Sequence, residues 1–296
     1  MTQFDYLLDK VTVSNIDKHP FKHVIIENFF SDDHFAAIQK SKQIKLKKQE
    51  NHKDLLKALK ESGYEAIPFP GSITDEAEYL SFLANGKYKR SNIKGYGKDV
   101  IEGYGITYRL KQIDDPFLIE LMAFFESDTW LNTIASKFSV TDPTTYEGGI
   151  QKNLKGYEIS PHPDTSRKAL TWMVNIYTNK EVADMNMHTH LCEFKPQYDY
   201  VRQFWEHNDI DPCWVPWDWA HTVKKTNTNN SISIFKPSSD TLHAVSVSED
   251  HLNDQRNQIY GNLWYEKPKK TGNLRWQDLD LILNKKSPKK RFLGLL

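Results

Sequence analysis

A histidine and an aspartate two residues apart, His162 and Asp164, stand in the stretch ISPHPDTSRKALTWMVNIYTN, residues 159–179. In an extended segment alternate side chains project to the same side, so this imidazole and carboxylate could share one metal ion. A turn with a hydrogen-bonded aspartate accounts for the same triplet equally simply. A metal would need a third ligand from far away, and the segment SISIFKPSSDTLHAVSVSEDHLNDQRNQIYGNLWYE offers one: His243 opens a strand-like run 81 residues after His162, and Arg256 opens another 13 residues later. Two histidines and one carboxylate leave open positions on Fe(II) for a chelating ligand and for oxygen. A chelating dicarboxylate then needs a fixed cation for its far end, which arginine supplies with bidentate geometry.

Strand parity gives a second line of argument. In TWMVNIYTN one face carries Trp172, Val174 and Ile176, the other Thr171, Met173, Asn175 and Tyr177. In RNQIYGNLW one face carries Arg256, Gln258, Tyr260, Asn262 and Trp264, the other Ile259 and Leu263. Two strands with one apolar and one polar face predict either a lined cavity or a solvent-facing side. His188 and His190 in MHTH could bind metal with Glu193, but no cosubstrate cation accompanies them, and a strand edge or site rim is the simpler reading. Trp214, Trp217 and Trp219 in CWVPWDWAH predict packing of an insertion onto the sheets or an aromatic wall over a substrate. The glycines of GYGKDVIEGYG lack the strand-to-helix setting and lysine of a phosphate loop, and fit a turn or an active-site loop better. No G-x-S-x-G elbow is present.

Elements must hold these residues in place. From residue 146 onward, strand-like runs at GGIQKNL, KGYEIS, ALTWMVNIYT, SISIF, HAVSV and NQIYGNLWYE are separated by turn residues rather than helices, which predicts an antiparallel sandwich or barrel. Before it, HVIIENFFSDDHF reads as a strand entering a helix capped by Ser31, and Pro116 opens a helical stretch backing the sheet. A helix is expected near residues 75–84, another in YDYVRQFWEHN within a Trp-rich insertion spanning 184–230, and a last one in WQDLDLILN. The 296 residues allow a large core. Their 39 basic and 39 acidic side chains cancel, which speaks against nucleic acid or a membrane as partner. Two cysteines, Cys192 and Cys213, and no apolar run near the roughly 18 residues of a membrane span predict a soluble, cytoplasmic protein.

The order H-x-D, distant His, then Arg resembles the 2-oxoglutarate/Fe(II)-dependent oxygenases, in particular their prolyl 4-hydroxylase-like branch. PFKHVIIENFFSDDHF, GGIQKNLKGYEISPHPD, VNIYTN and the stretch from His243 to Trp264 carry the likeness. The resemblance implies a mainly β fold with supporting helices, a double-stranded β-helix or jelly roll. It implies that His162, Asp164 and His243 ligate Fe(II), that Arg256 binds the far carboxylate of 2-oxoglutarate with help from Tyr177, and that Asn175 lines the same pocket. The implied reaction consumes molecular oxygen and 2-oxoglutarate, hydroxylates an unactivated C–H bond of a small-molecule or peptidyl substrate, and releases succinate and CO2. Asp164 argues against a halogenase, whose site needs that carboxylate replaced. The chain would be one oxygenase domain over 1–296: an N-terminal region with a possible lid over 1–145, a jelly-roll core over 146–266 and a tail over 267–296. Two features depart from the branch: the long spacing from His162 to His243, and Gln258 where some relatives have serine. A non-catalytic jelly-roll protein that holds a ligand with its Trp-rich insertion is the competing expectation, and a zinc hydrolase using the same three ligands would leave Arg256 without a task.

Overall fold

The structure is a computed structural model that describes residues 2–68, 72–85, 103–179, 185, 187–248, 252, 254–267, 269, 270, 272 and 273. Fourteen strands are present among them: β1 (His23–Glu27), β2 (Tyr64–Ala66), β3 (Gly103–Tyr104), β4 (Thr107–Leu110), β5 (Thr144–Asn153), β6 (Glu158–His162), β7 (Lys168–Asn175), β8 (Thr189–Phe194), β9 (Ile210–Asp211), β10 (Ala220–Thr226), β11 (Ser231–Phe235), β12 (His243–Ser246), β13 (Arg256–Tyr265) and β14 (Gly272–Asn273). The helices are α1 (Tyr6–Val13), α2 (Asp32–Lys40), α3 (His52–Glu61), α4 (Glu76–Asn85), α5 (Pro116–Glu126), α6 (Asp128–Lys137) and α7 (Asp199–His207).

The path of the chain through the sheets defines the architecture. The larger sheet runs β1-β11-β7-β13-β5-β4-β2 and the smaller β10-β8-β12-β6-β3, with antiparallel pairing throughout both. From β5 onward the chain alternates between them: β5 large, β6 small, β7 large, β8 and β10 small, β11 large, β12 small, β13 large. This is the winding of a jelly roll, two facing antiparallel sheets with successive strands on opposite walls. The N-terminal segment extends it, β1 capping the β11 edge and β2 and β4 the β5 edge.

The outer face of the larger sheet carries the main core. Leu170, Trp172, Val174, Ile232, Ile234, Ile259 and Leu263 pack there with side chains from α1, α2, α3, α5 and α6. Trp172 lies 4.7 Å from Phe125 and 5.6 Å from Trp130 between ring centroids. Local signals set the helices. Ser31 caps α2 by accepting from the His34 amide, and Asp115 caps α5 just ahead of Pro116. With this face filled by helices, the opposite polar faces of β7 and β13 turn toward the smaller sheet.

The expected Trp-rich insertion over 184–230 is narrower. β8 and β10 are two of the eight jelly-roll strands, and only the segment between them, 195–219 with α7, is added to the winding. That segment covers the outer face of the smaller sheet, packing Val201, Trp205 and Val215 against Cys192, Phe194, Ala220 and Ala244. The expected helix in WQDLDLILN and most of GYGKDVIEGYG lie outside the described residues. Among the described residues, no helix is long and apolar enough to cross a membrane.

Candidate active site

β6 and β12 are antiparallel neighbours, and their register sets His162 directly opposite His243. The two rings stand 4.2 Å apart between centroids. Each ring is oriented by the same local device: Nδ1 of His162 bonds the Ser160 carbonyl at 2.8 Å, and Nδ1 of His243 bonds the Thr241 carbonyl at 3.0 Å. A carbonyl only accepts, so both Nδ1 atoms carry the proton and both Nε2 atoms keep a lone pair for a metal.

Asp164 arrives differently from the extended geometry expected. His162 is the last residue of β6, and Asp164 follows in a turn with φ of 66°, a left-handed conformation that aspartate tolerates better than most residues. The turn swings the carboxylate between the rings, with Oδ1 3.6 Å from His162 Nε2 and Oδ2 3.7 Å from His243 Nε2. The ligand atoms of these three buried residues all lie within 4.8 Å of one another, the one such group of three or more among the described residues. The turn reading of the triplet holds, and it is the turn that brings the carboxylate between the two imidazoles.

Two donors hold the carboxylate from behind. Lys168 Nζ donates to Oδ1 at 2.9 Å and Thr171 Oγ1 donates to Oδ2 at 3.1 Å. Desolvation pushes the Asp164 carboxyl up, but Lys168 and the two imidazoles together outweigh it and hold it well below the usual carboxylate range. Burial, reinforced by His162, pushes the His243 imidazole down to about 3. The set at neutral pH is one carboxylate with a neutral His243, so a metal ion need displace no proton from either.

These three residues line a cavity of about 180 Å³ between the two sheets, and Arg256 lines it too. Its guanidinium is 1% exposed and is held at four points: Nε donates to the Met187 carbonyl at 3.0 Å, Nη1 to Asn153 Oδ1 at 2.6 Å and Gln258 Oε1 at 2.7 Å, and Nη2 to Thr189 Oγ1 at 2.7 Å. All four acceptors are neutral. Among the described residues no carboxylate forms an ion pair with this buried cation. A guanidinium taken out of water at such cost, with no counter-charge among the described residues, could receive an anion.

Asn175 and Tyr177 are not among the residues lining the cavity. Asn175 Oδ1 accepts from Gln258 Nε2 at 2.8 Å, so it acts one bond behind the Gln258 that holds Arg256. The Tyr177 hydroxyl is buried with no hydrogen-bond partner among the described residues, in a cluster with Tyr157, Met187, Val245 and Val247. Burial pushes that phenol up to about 12 despite the nearby Arg256. Tyr157 and Tyr260, rather than Tyr177, are the tyrosines on the cavity wall.

Several wall residues escaped sequence reasoning. Thr189 is the middle residue of MHTH, and it faces Arg256 while His188 and His190 do not line the cavity. Neither of those histidines joins a metal-ligating group of three among the described residues. Asn153, in GGIQKNL, and Lys168, four residues beyond Asp164, were equally unmarked: Asn153 holds Arg256 from behind the wall, and Lys168 lines the cavity. Trp217 and Trp219 pack outside the smaller sheet, where Trp217 Nε1 donates to Glu158 at 2.7 Å and Trp219 stacks on Tyr198 at 4.8 Å. Neither lines the cavity.

No protein-family model matches the chain, and no curated protein matches it. Among the solved structures that match the chain are the following three. A prolyl hydroxylase from Trichoplax adhaerens, in complex with a peptide fragment of the hypoxia inducible factor oxygen degradation domain, aligns over 89% of each chain at 8% identity and a TM-score of 0.45. A 2OG-Fe(II) oxygenase family oxidoreductase from Burkholderia pseudomallei covers 78% of this chain and 98% of its own at 11% identity and a TM-score of 0.29. EvdO2 from Micromonospora carbonacea var. aurantiaca, complexed with 2-oxoglutarate, covers 77% of this chain and 96% of its own at 12% identity and a TM-score of 0.29.

Proposed function

We propose that the protein is a mononuclear non-haem Fe(II) and 2-oxoglutarate-dependent dioxygenase, one catalytic domain that hydroxylates a C–H bond of a small-molecule or peptidyl substrate. The observation that carries this reading is the pairing, in one cavity, of a 2-His-1-carboxylate set with a buried arginine that has no acidic partner among the described residues. That combination suits a metal chelated by one end of a dicarboxylate whose other end reaches the guanidinium.

His162, Asp164 and His243 would hold the iron, which when bound supplies oxygen activation coupled to oxidative decarboxylation of 2-oxoglutarate. The backbone carbonyls of Ser160 and Thr241 fix the tautomer in which both Nε2 atoms are available. Thr171 orients the carboxylate, and Lys168 keeps it ionised before metal arrives. Arg256, locked by Asn153, Gln258 and Thr189, would receive the distal carboxylate with little reorganisation, because its side-chain entropy is already spent in folding. Asn175 would steady Gln258, and Tyr177 would assist from behind. Ile159 and Val245 on the smaller sheet keep part of the wall apolar and limit water access.

Anaerobic addition of Fe(II) and 2-oxoglutarate to the purified protein should produce a weak visible charge-transfer band. Asp164→Ala and His243→Ala should each abolish it together with succinate formation. A band and turnover that survive both substitutions would sink the assignment.

A further inference from the structure

We propose that the substrate of this site is itself a compact anion, a carboxylic acid with an apolar body, received by Arg109 and Lys168. The inference rests on the oxygenase reading for the word substrate, and it concerns Arg109, which that reading leaves unused, and Lys168, which it uses only before metal binds.

The ionic residues lining the cavity are Arg109, Lys168, Arg256 and Asp164, three cations and one carboxylate. Glu147, outside the wall, pairs with Arg109 through Nη1 at 2.8 Å. Counting both carboxylates, one positive charge is left over. A divalent metal raises the surplus to three, and a dicarboxylate cosubstrate lowers it to one. One positive charge remains to be matched, and Arg256 is already assigned to the cosubstrate.

Arg109 and Lys168 line the same cavity as the triad. Arg109 lies 4.4 Å over the Tyr260 ring, and Lys168 Nζ lies 5.4 Å over the Trp264 ring. Tyr260 and Trp264 share a face of β13 on either side of Asn262, and the Thr171 hydroxyl, with one proton to give, lies within hydrogen-bond distance of both Asn262 Oδ1 and Asp164 Oδ2. Trp264 Nε1 donates to the second oxygen of Glu147 at 3.0 Å, so one carboxylate ties the Trp264 and Arg109 ends together. Arg109 Nε is buried and has no hydrogen-bond partner among the described residues. Lys168 has Asp164 as its carboxylate partner among the described residues, at 2.9 Å. Once a divalent cation takes Asp164, the ammonium stands beside a net positive centre, and a second anion becomes its best partner. Ile67, Ile159 and Val245 supply apolar wall for the body of the acid, and a cavity of about 180 Å³ favours a small one.

The test is calorimetric. Protein loaded with Zn(II), which cannot turn over, is first titrated with 2-oxoglutarate and then with butanoate, hexanoate and phenylacetate, each beside its primary amide. The acids should bind about ten-fold or more tighter than their amides, the discrimination one charge-assisted pair confers. Arg109→Met should remove most of that preference, and Arg109→Lys should restore part of it. Lys168→Met should act in the same direction, but Arg109→Met carries the test if the lysine variant fails to fold. Acids and amides that bind alike, acids that do not bind, or a preference that survives Arg109→Met would each overturn the proposal. Failure of the first titration, with no uptake of 2-oxoglutarate, would instead count against the oxygenase reading, and the acid titrations on the zinc form would still read the Arg109 and Lys168 pair directly.

Discussion

Arg256 concentrates the electrostatic logic of the site in one side chain. Its four neutral acceptors engage the guanidinium's N–H groups and provide no counter-charge among the described residues, which is the basis for proposing an anion from solution as its partner. Arg256→Met should weaken 2-oxoglutarate binding about 100-fold, the loss of roughly 3 kcal/mol expected for a charge-assisted, bidentate contact. Arg256→Lys should recover part of it, since a point charge remains without the fork. Anaerobic titration of the charge-transfer band reads both variants, and unchanged affinity in Arg256→Met would assign the carboxylate to another cation. At this scale the sequence was legible where one residue type has few other uses. A histidine pair with an aspartate and a downstream arginine could be picked out by order alone. Thr189, Thr171 and Lys168 could not, because threonine and lysine are common on surfaces and only the register of β8 against β12, and the bulge that feeds Lys168 into β7, turns them toward the cavity.

β13 is the element through which core and site communicate. Gly261 faces the core, and a Cβ built there would meet the Trp172 indole at 2.3 Å. Trp172 has no room to yield, since Phe125 and Trp130 close on its other sides. Gly261→Ala should cost about 1–3 kcal/mol, as overpacking of a filled core does, and should displace Tyr260 and Asn262 on the opposite face. A urea midpoint unchanged from wild type would refute this. β8 yields a pH prediction. Burial, with Lys225 next, lowers the His190 imidazole to about 4, so in the native state it stays neutral at a pH where an unfolded histidine is charged. The unfolded state then binds the extra proton, and stability held above about 6.5 is lost as pH falls toward 4. Between pH 7 and 5 the loss from this residue is about 2 kcal/mol; His190→Gln should flatten the dependence of the urea midpoint on pH, and an unaltered slope would rule the residue out. β8 and β10 are also the strands that pattern reading missed. β8 is buried on both faces beneath the added segment, so it shows no alternation, and β10 is a polar, lysine-bearing edge strand that reads as a loop.

For the molecule as a whole, the decisive property is that the three ligands belong to parts of the chain that meet only in the folded state. His162 ends β6, Asp164 sits in the turn beyond it, and His243 opens β12, 81 residues on in a chain whose β6 and β12 are neighbours in the smaller sheet. An unfolded chain cannot present the set, so a metal binds the native state almost exclusively and its binding energy adds to stability. Mn(II) or Zn(II) at 100 times its dissociation constant should add about 2.7 kcal/mol, a rise in melting temperature on the order of 5–10 °C for a domain of this size. A chelator should reverse the shift. Asp164→Ala should abolish it, while His190→Gln should preserve it, because His188 and His190 lie outside the only metal-ligating group among the described residues. A shift that instead depended on His190 would move the metal to the outer face of the smaller sheet and leave His162, Asp164 and His243 as an ion-paired core cluster; a shift abolished by Asp164→Ala alone ties the jelly-roll winding to the one function that explains why two histidines and an aspartate were buried together.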